Sequence, residues 1–229
     1  MTSIRKNQIC ALLKGIETGD AAAVAVVNED KYIQHNPQTH AGSEGLAALF
    51  ERLSKTAPRV NIVRVFEDGL AVEHCDNIQQ RKDPNPSGHT MVDGPTEATD
   101  LGRAESNREF VRSFIEEILI NRNFDKLKDY IDGEHFTEHN SRIGDGLSAL
   151  YSALSDPASN DGITIQYDRV HRLLAEGNFV LSVSEGSVNG AHSSFYDLYR
   201  VARDRLVEHW DTTEAIPPRS EWKNDNGKF

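Results

Sequence analysis

An internal repeat constrains this chain more than any other feature, because two copies of one pattern in one order are expected to fold as two units of one design. The matching segments, first copy with second, are an apolar helical face at 9–16 with 111–118, YIQHN at 32–36 with FTEHN at 136–140, GLAAL at 45–49 with GLSAL at 146–150, VEHCD at 72–76 with VEHWD at 207–211, and NPSG at 85–88 with NDNG at 224–227. The sequence therefore predicts two domains, 1–102 and 103–229.

The second copy shows the complete pattern of elements. Apolar residues at i, i+3, i+4 and i+7 predict its first helix, and alternating stretches predict strands joined by turns at Asn189-Gly190 and Arg203-Asp204. The predicted helices are 105–121, 124–131 and 146–154, and the strands are one that carries His139-Asn140, then 163–174, 179–188, 193–201 and 206–213. This order predicts an α+β fold, in which helices pack on a curved antiparallel sheet and form a cone with an apolar pocket.

The first copy is shorter than the second. The offset between copies grows from 101 at GLAAL to 135 at VEHCD, so 34 residues have no counterpart in the first copy, which is about two to three strands. The strands expected at 60–66 and 70–76, with a turn at Asp68-Gly69, make little more than a hairpin. We therefore expect the first domain to complete its sheet against the second domain or another subunit, as in a homodimer. A Pro- and Gly-rich segment from 83 to about 104 is expected to be a linker or wrapping loop.

Charge and composition exclude several classes of partner. The net charge of −11 repels nucleic-acid phosphates and anionic membranes, so neither is expected as a partner. The first residues show no secretion signal, and no stretch approaches the ~20 apolar residues of a membrane span, so a cytoplasmic protein is expected. Cys10 and Cys75 are too few for a disulfide scaffold and are expected to be free thiols.

Three motifs resemble those of SnoaL-like polyketide cyclases, a family of the ketosteroid isomerase-like or nuclear-transport-factor-2-like superfamily. YIQHNP at 32–37 is similar to the family's YxxHNP strand, FYDLYR at 195–200 to its D-x-x-R strand, and VEHWD at 207–211 to its E-H-W-D strand. The resemblance covers nearly the whole chain, although the first copy lacks D-x-x-R. It implies cone-shaped domains that use no cofactor and perform acid/base chemistry on a hydrophobic, carbonyl-bearing small molecule.

Asp197 is the candidate acid or base. Such chemistry needs a carboxyl group in apolar surroundings that raise its pKa, and Asp197 lies among aromatic and apolar residues of its strand. The alternative is an ion pair with an arginine on the outer face. The resemblance places Asn140 where ketosteroid isomerase has its catalytic aspartate. Asn140 can therefore orient a substrate but cannot take a proton, and His139 is the second candidate for proton transfer. The alternative for His139 and Asn140 is a purely structural strand-end turn.

The pairing of the last two strands decides which other residues face the pocket. Pairing across the Arg203-Asp204 turn places Asp197 opposite Trp210 and Leu198 opposite His209, on the other face. Trp210 and Tyr199 are then predicted to line the pocket as substrate-binding residues, with His209 structural. A β-bulge would exchange the roles of Trp210 and His209.

A metal site is not expected. His135 and His139 have the spacing of a helical metal pair, but on the predicted strand they lie roughly 13 Å apart at ~3.3 Å per residue. The chain also has no G-x-S-x-G, P-loop or G-x-G-x-x-G sequence, so a nucleotide or a nucleophile elbow is not expected.

Three functions stay open at this point. The first is a cofactor-free cyclase or isomerase-type lyase with Asp197 and His139 as proton-transfer groups. The second is a non-catalytic small-molecule-binding or assembly module of the same fold. The third is a hydrolase or dehydratase in which Asp197 activates water in the same pocket.

Overall fold

The computed structural model describes residues 4–56 and 73–229, which fall into two compact units. The first contains Met1–Asp76 together with Pro217–Phe229, and the second contains Asn77–Ile216. Both units combine helices with strands, as the predicted α+β class requires. The boundary near residue 102 stays a prediction about the repeat, because the compact units divide the chain at other positions. Within the described ranges, every helix is too short or too polar to cross a bilayer.

The first unit is built on two helices and a short strand pair. Helices α1 (Ile4–Thr18) and α2 (Gly42–Ser54) pack around a core of Leu12, Val27, Leu46, Leu49 and Phe50. Strand β1 (Ile33–Gln34) pairs in parallel with β2 (Glu73–His74). The expected strand 60–66 and the Asp68-Gly69 turn lie outside the described residues.

The second unit carries a five-stranded sheet with helices on one face. Its elements in chain order are α3 (Ala104–Phe114), a π-helix (Ile115–Ile120), β3 (Thr137–Glu138), α4 (Leu147–Ser155), β4 (Ile165–Glu176), β5 (Phe179–Val188), β6 (Ala191–Ala202) and β7 (Arg205–Ala215). The spatial order is β3-β7-β6-β5-β4, antiparallel except for the β3–β7 pair. The predicted helix over 105–121 is thus α-helical only in its first part.

Both predicted hairpin turns are present and have the backbone that two-residue turns require. Asn189 and Gly190 have φ values of 50° and 78°, and Arg203 and Asp204 have 52° and 56°. Positive φ at both central positions is the type I′ geometry, whose twist matches that of the flanking strands. These turns set the antiparallel order of β5, β6 and β7.

The helical face predicted from periodicity forms the core of the second unit. Its four apolar residues are all buried: Val111, Phe114, Ile115 and Ile118. They pack against residues of β5, β6 and β7, among them Val180, Tyr199, Val201 and Leu206. Full burial of one such side chain is worth about 1.5–3 kcal/mol, so this face holds the helices on the sheet.

A β-bulge changes the register of β6 and β7, and the predicted pairing is wrong. Next to the turn Val201 pairs with Leu206, but Arg200 already pairs with Glu208, so β7 carries an extra residue there. Beyond the bulge Asp197 lies opposite Asp211, not opposite Trp210. Because side chains alternate along a strand, a one-residue slip moves each β7 side chain to the other face.

Candidate functional site

An apolar cavity lies in the second unit between the helices and the sheet. The centres of water molecules can occupy ≈ 50 Å³ of it, room for a few waters or the end of a small ligand. Its walls are mostly apolar, namely Phe114, Leu119, Phe136, Ile143, Leu150, Leu154, Ile165 and Leu206, and its polar lining comprises Glu138, Asn140, Tyr167, Tyr199, His209 and Asp211. Glu138 on β3, His209 and Asp211 on β7 and Tyr199 on β6 come from three adjacent strands, so the sheet places these groups together.

His209 lies between two buried carboxylates. Its Nδ1 is 2.9 Å from Glu138 Oε1, and its Nε2 is 3.3 Å from Asp197 Oδ1. Burial alone would lower the pKa of His209, but the charge of Glu138 and the hydrogen bonds to both carboxylates hold that pKa well above its usual value. His209 is therefore an imidazolium that donates a hydrogen bond from each nitrogen.

The two carboxylates are held by further donors. Glu138 Oε1 accepts from the main-chain N–H groups of His139 and Asn140, each at 2.9 Å. Asp197 accepts from the hydroxyl of Tyr167 at 3.0 Å and from that of Ser182 at 3.3 Å. Both carboxylates are 0% exposed, and this number of hydrogen bonds is what buried charges require.

Asp211 differs from these carboxylates because it is only partly buried and lines the cavity. Its Oδ2 accepts from Asn140 Nδ2 at 2.8 Å. Loss of hydration raises the pKa of Asp211 to about 6, with the charges of Glu138 and Asp197 acting in the same direction and the charge of His209 opposing them. A carboxyl with this pKa can both take and give a proton near neutral pH.

Asn140 has a fixed amide orientation. Its Oδ1 accepts from the main-chain N–H of Arg142 at 3.0 Å, which leaves Nδ2 as the group that faces Asp211. The amide therefore donates to Asp211 and cannot compete with it for a proton. The role of orienting a substrate that the sequence analysis gives Asn140 stays a prediction.

His139 lies on the opposite face of the sheet. Its Nδ1 is 2.8 Å from both Thr90 O and Asp93 Oδ1, its Nε2 is 3.0 Å from Glu208 Oε1, and its ring stacks on Trp210 at 4.6 Å. Burial opposes protonation, but Glu208, Thr90 and Asp93 outweigh it and raise the pKa of His139. His139 is thus part of an ion-pair network behind the cavity wall.

This histidine belongs to a group of three possible metal ligands. Ligand atoms of His89, Asp93 and His139 lie within 4.8 Å of one another. However, Nδ1 of His139 approaches the Thr90 carbonyl at 2.8 Å, which requires an N–H on that nitrogen, and a protonated nitrogen cannot ligate a metal. The geometry fits an imidazolium paired with Asp93 better than a metal site. The expectation that the protein binds no metal and no cofactor stays a prediction.

The structure redistributes the residues singled out in the sequence. Asn140, Tyr199 and His209 line the cavity, and Asp197 lies buried behind His209. The placement predicted for Trp210 is wrong, because the bulge turns it to the face of His139, where its indole N–H donates to Asp93 O at 2.8 Å. His139 is likewise absent from the cavity lining, because the extended chain continues past β3 and alternation directs Glu138 and Asn140 to the cavity and His139 away from it.

Sequence reasoning missed three polar residues of the site: Glu138, Tyr167 and Asp211. A signal for Asp211 was present, because VEHWD alternates and any register that turns His209 inward also turns Asp211 inward. Glu138 precedes His139 in FTEHN and follows the same logic. Tyr167 stands alone on β4, and we find no sequence pattern that marks it.

No protein-family model and no curated protein matches this chain. Solved structures resemble about half of it. A SnoaL-like polyketide cyclase from Agrobacterium tumefaciens is 12% identical, with 47% of this chain and 91% of that chain covered and a TM-score of 0.38. An LEH-like epoxide hydrolase from M. tuberculosis is 18% identical, covering 49% and 85%, with a TM-score of 0.39. An NTF-2-like protein of unknown function from Burkholderia xenovorans is 18% identical, covering 54% and 98%, with a TM-score of 0.42.

Proposed function

We propose that the second unit is a cofactor-free acid/base enzyme of the isomerase or cyclase type, which acts on a small, hydrophobic, carbonyl-bearing molecule. The observation that carries the proposal is a carboxyl group, Asp211, with a pKa of about 6 on the wall of an apolar cavity. Asp211 takes the proton-transfer role that the sequence analysis gave to Asp197 and His139. Asp197 instead holds His209 in its charged form.

The reaction begins with Asp211 ionised and a substrate whose carbonyl carbon enters the cavity. Asp211 removes a proton from the carbon next to the carbonyl, the C–H electron pair moves into the new C=C bond, and the carbonyl oxygen becomes an enolate. His209 lines the same cavity, and its positive charge offsets part of the negative charge that Glu138 and Asp197 would otherwise direct at this oxyanion. The apolar walls strengthen that interaction because they exclude water.

The second half of the reaction sets the type of product. In an isomerase, protonated Asp211 returns its proton to another carbon of the enolate. In a cyclase, the enolate carbon attacks a second carbonyl of the same molecule, a C–C bond forms, and the new alkoxide takes the proton. Both outcomes need one group that accepts and then donates a proton, for which a pKa near the working pH is best.

Tyr199 and Tyr167 stay protonated at the cavity wall. Burial raises the pKa of each hydroxyl well above its ordinary value, and the negative charge of Asp197 adds to this. Neither tyrosine can therefore act as the base near neutral pH. Tyr167 donates to Asp197, so its role is to position the carboxylate that pairs with His209.

Hydrogen–deuterium exchange of substrate protons tests the proposal without knowledge of the product. A panel of small apolar ketones is incubated with the protein in D₂O, and loss of the α-proton signals is followed by NMR. Wild type is expected to catalyse the exchange of at least one ketone, and Asp211→Asn to slow it by ~10²–10⁴-fold, the usual contribution of a positioned acid or base.

Asp76→Asn is the matched control, because Asp76 Oδ2 accepts from Asn36 Nδ2 at 2.9 Å in the first unit, just as Asp211 accepts from Asn140. It is expected to leave the exchange unchanged. Equal exchange in wild type and Asp211→Asn would refute the proposal. Ketones that bind and shift NMR signals without any exchange would favour the non-catalytic binding module instead.

A further inference from the structure

The C-terminal residues of the chain dock on the first unit through side-chain amides. Asn224 Nδ2 donates to the carbonyls of Asn36 and Thr39, each at 2.8 Å. Asn224 Oδ1 accepts from the N–H of Asn226 at 3.0 Å, and Asn226 Nδ2 donates to Gln34 O at 3.0 Å. The tail is therefore fastened to the YIQHN segment and the residues just after it.

A segment from the middle of the chain docks on the second unit in a closely similar way. Asn85 Nδ2 donates to the carbonyls of Glu138 and Ile143 at 2.7 and 2.9 Å. Asn85 Oδ1 accepts from the N–H of Ser87 at 3.0 Å. Thr39 and Ile143, the acceptors after the two motifs, stand 104 residues apart, which is also the offset between YIQHN and FTEHN.

The histidines of the two motifs make the same type of contact with these tails. His35 Nδ1 is 3.0 Å from the carbonyl of Gly227, and His139 Nδ1 is 2.8 Å from the carbonyl of Thr90. Both histidines are buried. Each tail thus accepts a hydrogen bond from a buried side chain that has one partner fewer without it.

The residues around the two docking positions make equivalent hydrogen bonds. Asn36 donates to Asp76 as Asn140 donates to Asp211, at 2.9 and 2.8 Å. His74 Nδ1 lies 2.9 Å from Gln34 Oε1, and His209 Nδ1 lies 2.9 Å from Glu138 Oε1. Asn36 and Asn140 are 104 residues apart, as are Gln34 and Glu138, whereas Asp76 and Asp211 are 135 apart, as are His74 and His209; these are the offsets of the sequence repeat.

We propose that the two repeats exchange their C-terminal tails. The tail that follows VEHCD of the first repeat docks beside His139-Asn140 of the second repeat. The tail that follows VEHWD of the second repeat docks beside His35-Asn36 of the first repeat. In the structure, residues after Asp76 belong to the second compact unit, and Pro217–Phe229 belong to the first. Exchange of an equivalent element is the pattern of a domain swap, here within one chain.

The chain enters the second unit directly after the VEHCD segment. Asn77 Nδ2 donates to the carbonyls of Ser194 and Thr212 at 3.1 and 3.0 Å, and the Ser194 hydroxyl donates to Asn77 Oδ1 at 2.6 Å. Gln79 Oε1 then accepts from the N–H of Thr213 at 2.7 Å. These bonds hold the start of the first repeat's tail against β6 and β7, eight residues before the docking residue Asn85.

The exchange makes the ion-pair network behind the second unit's cavity depend on the first repeat. Thr90 and Asp93 of the first tail hold His139, and Asp93 O holds the Trp210 indole on β7. A fragment cut at the repeat boundary, 103–229, lacks these residues and keeps a tail whose acceptors lie in the missing half. This inference concerns the fold and stands whether or not the proposed acid/base function is correct.

Engineered disulfides in the full chain distinguish exchanged from unexchanged tails. A Cβ built on Gly144 lies 3.3 Å from the hydroxyl of Ser87, which is short enough for a disulfide between Ser87→Cys and Gly144→Cys. His40 stands 104 residues before Gly144, so the matched pair Ser87→Cys with His40→Cys reports a tail that docks on its own repeat. Cys10 and Cys75 are replaced by serine in both variants.

Each variant is oxidised and digested, and the linked peptides are measured by mass spectrometry. If the tails are exchanged, the peptides linked through 87 and 144 are expected to be abundant, and peptides linked through 87 and 40 to be no more abundant than background. A dominant 87–40 link would overturn the proposal.

Amide exchange in two single variants decides the case in which neither disulfide forms. With exchanged tails, Asn224→Ala is expected to speed hydrogen exchange at least several-fold in 34–39 and leave 138–143 unchanged, while Asn85→Ala does the reverse. If Asn224→Ala exposes 138–143 and Asn85→Ala exposes 34–39, each tail closes its own repeat and the proposal is wrong. No effect in either region would also contradict it, because the amides would then not hold the tails.

Discussion

Replacement of Asp211 by asparagine is expected to stabilise the second unit above pH 6 while it removes the proposed activity. The pKa of Asp211 is raised from an ordinary 3.8 to about 6, so the folded state binds a proton more readily than the unfolded state. Between these two pH values the folded state holds more protons, and stability falls as pH rises. At ~1.4 kcal/mol for each pH unit, ionised Asp211 costs the fold ~3 kcal/mol above pH 6.

Asparagine has no such cost and can still accept from Asn140. The free energy of unfolding of Asp211→Asn is therefore expected to exceed that of wild type by about 2–3 kcal/mol at pH 7 and by little at pH 4. Urea unfolding at both pH values measures the difference. A Trp222→Phe background leaves Trp210 as the fluorescent reporter, since the chain has 2 tryptophans, and Trp210 lies in the second unit.

Two results would refute this reasoning. If Asp211→Asn is less stable than wild type at pH 7, ionised Asp211 stabilises the fold and its pKa is not raised. A stability gain that is equal at pH 4 and pH 7 would show that the effect has nothing to do with proton binding. A changed dependence of the free energy on urea would indicate a different unfolding transition.

Two further predictions concern His209 and the carboxylates of Glu138 and Asp197 on either side of it. His209→Gln leaves Glu138 and Asp197 buried without their cation and is expected to destabilise the second unit by about 3–5 kcal/mol. Because the folded pKa of His209 is raised, this loss is full below pH ~6.5 and shrinks as pH rises through the folded pKa; urea unfolding from pH 6 to 10 checks it, and a loss that grows with pH would contradict it. Tyr167→Phe removes the hydroxyl that donates to Asp197 and is expected to cost about 1–3 kcal/mol, measured by the same unfolding assay. An unchanged midpoint would show that this hydrogen bond adds nothing.

Periodicity in the sequence predicts most of the fold of the second unit because burial dictates it. Val111, Phe114, Ile115 and Ile118 share one helical face in any helix, and all four are buried. The turn at Asn189-Gly190 is predicted from residues that tolerate positive φ. The π-helix Ile115–Ile120 could not be predicted in this way, because its apolar pattern also suits an α-helix.

The site is less predictable because one extra residue decides it. The bulge next to Val201 reverses which residues of VEHWD face the cavity, and it follows from the packing of two strands rather than from a local signal. The sequence names both possibilities, Trp210 and His209, but cannot choose between them. Asp197 is buried, but it bonds to Tyr167 and His209 and does not line the cavity, a position that its sequence neighbours could not predict.

The docking of the tails is also beyond sequence reasoning. The match of NPSG with NDNG predicts a tail in each copy, but His35-Asn36 and His139-Asn140 are the same residue pair, so the sequence does not assign either tail to one of them. Which motif a tail reaches depends on where the chain leaves the preceding strand. The hydrogen bonds of Asn77 to β6 and β7 support the exchanged arrangement that we propose.

Titration of Asp211 by NMR measures the raised carboxyl pKa on which the proposed acid/base function depends. In protein labelled with ¹³C at the aspartate carboxyl groups, the Asp211 signal is assigned by its absence from the Asp211→Asn spectrum and followed from pH 3 to 9. We predict a midpoint near 6, about two pH units above the ordinary value of 3.8. A midpoint near 3.8 would contradict it, because Asp211 would then be a simple solvated carboxylate and a poor base at neutral pH.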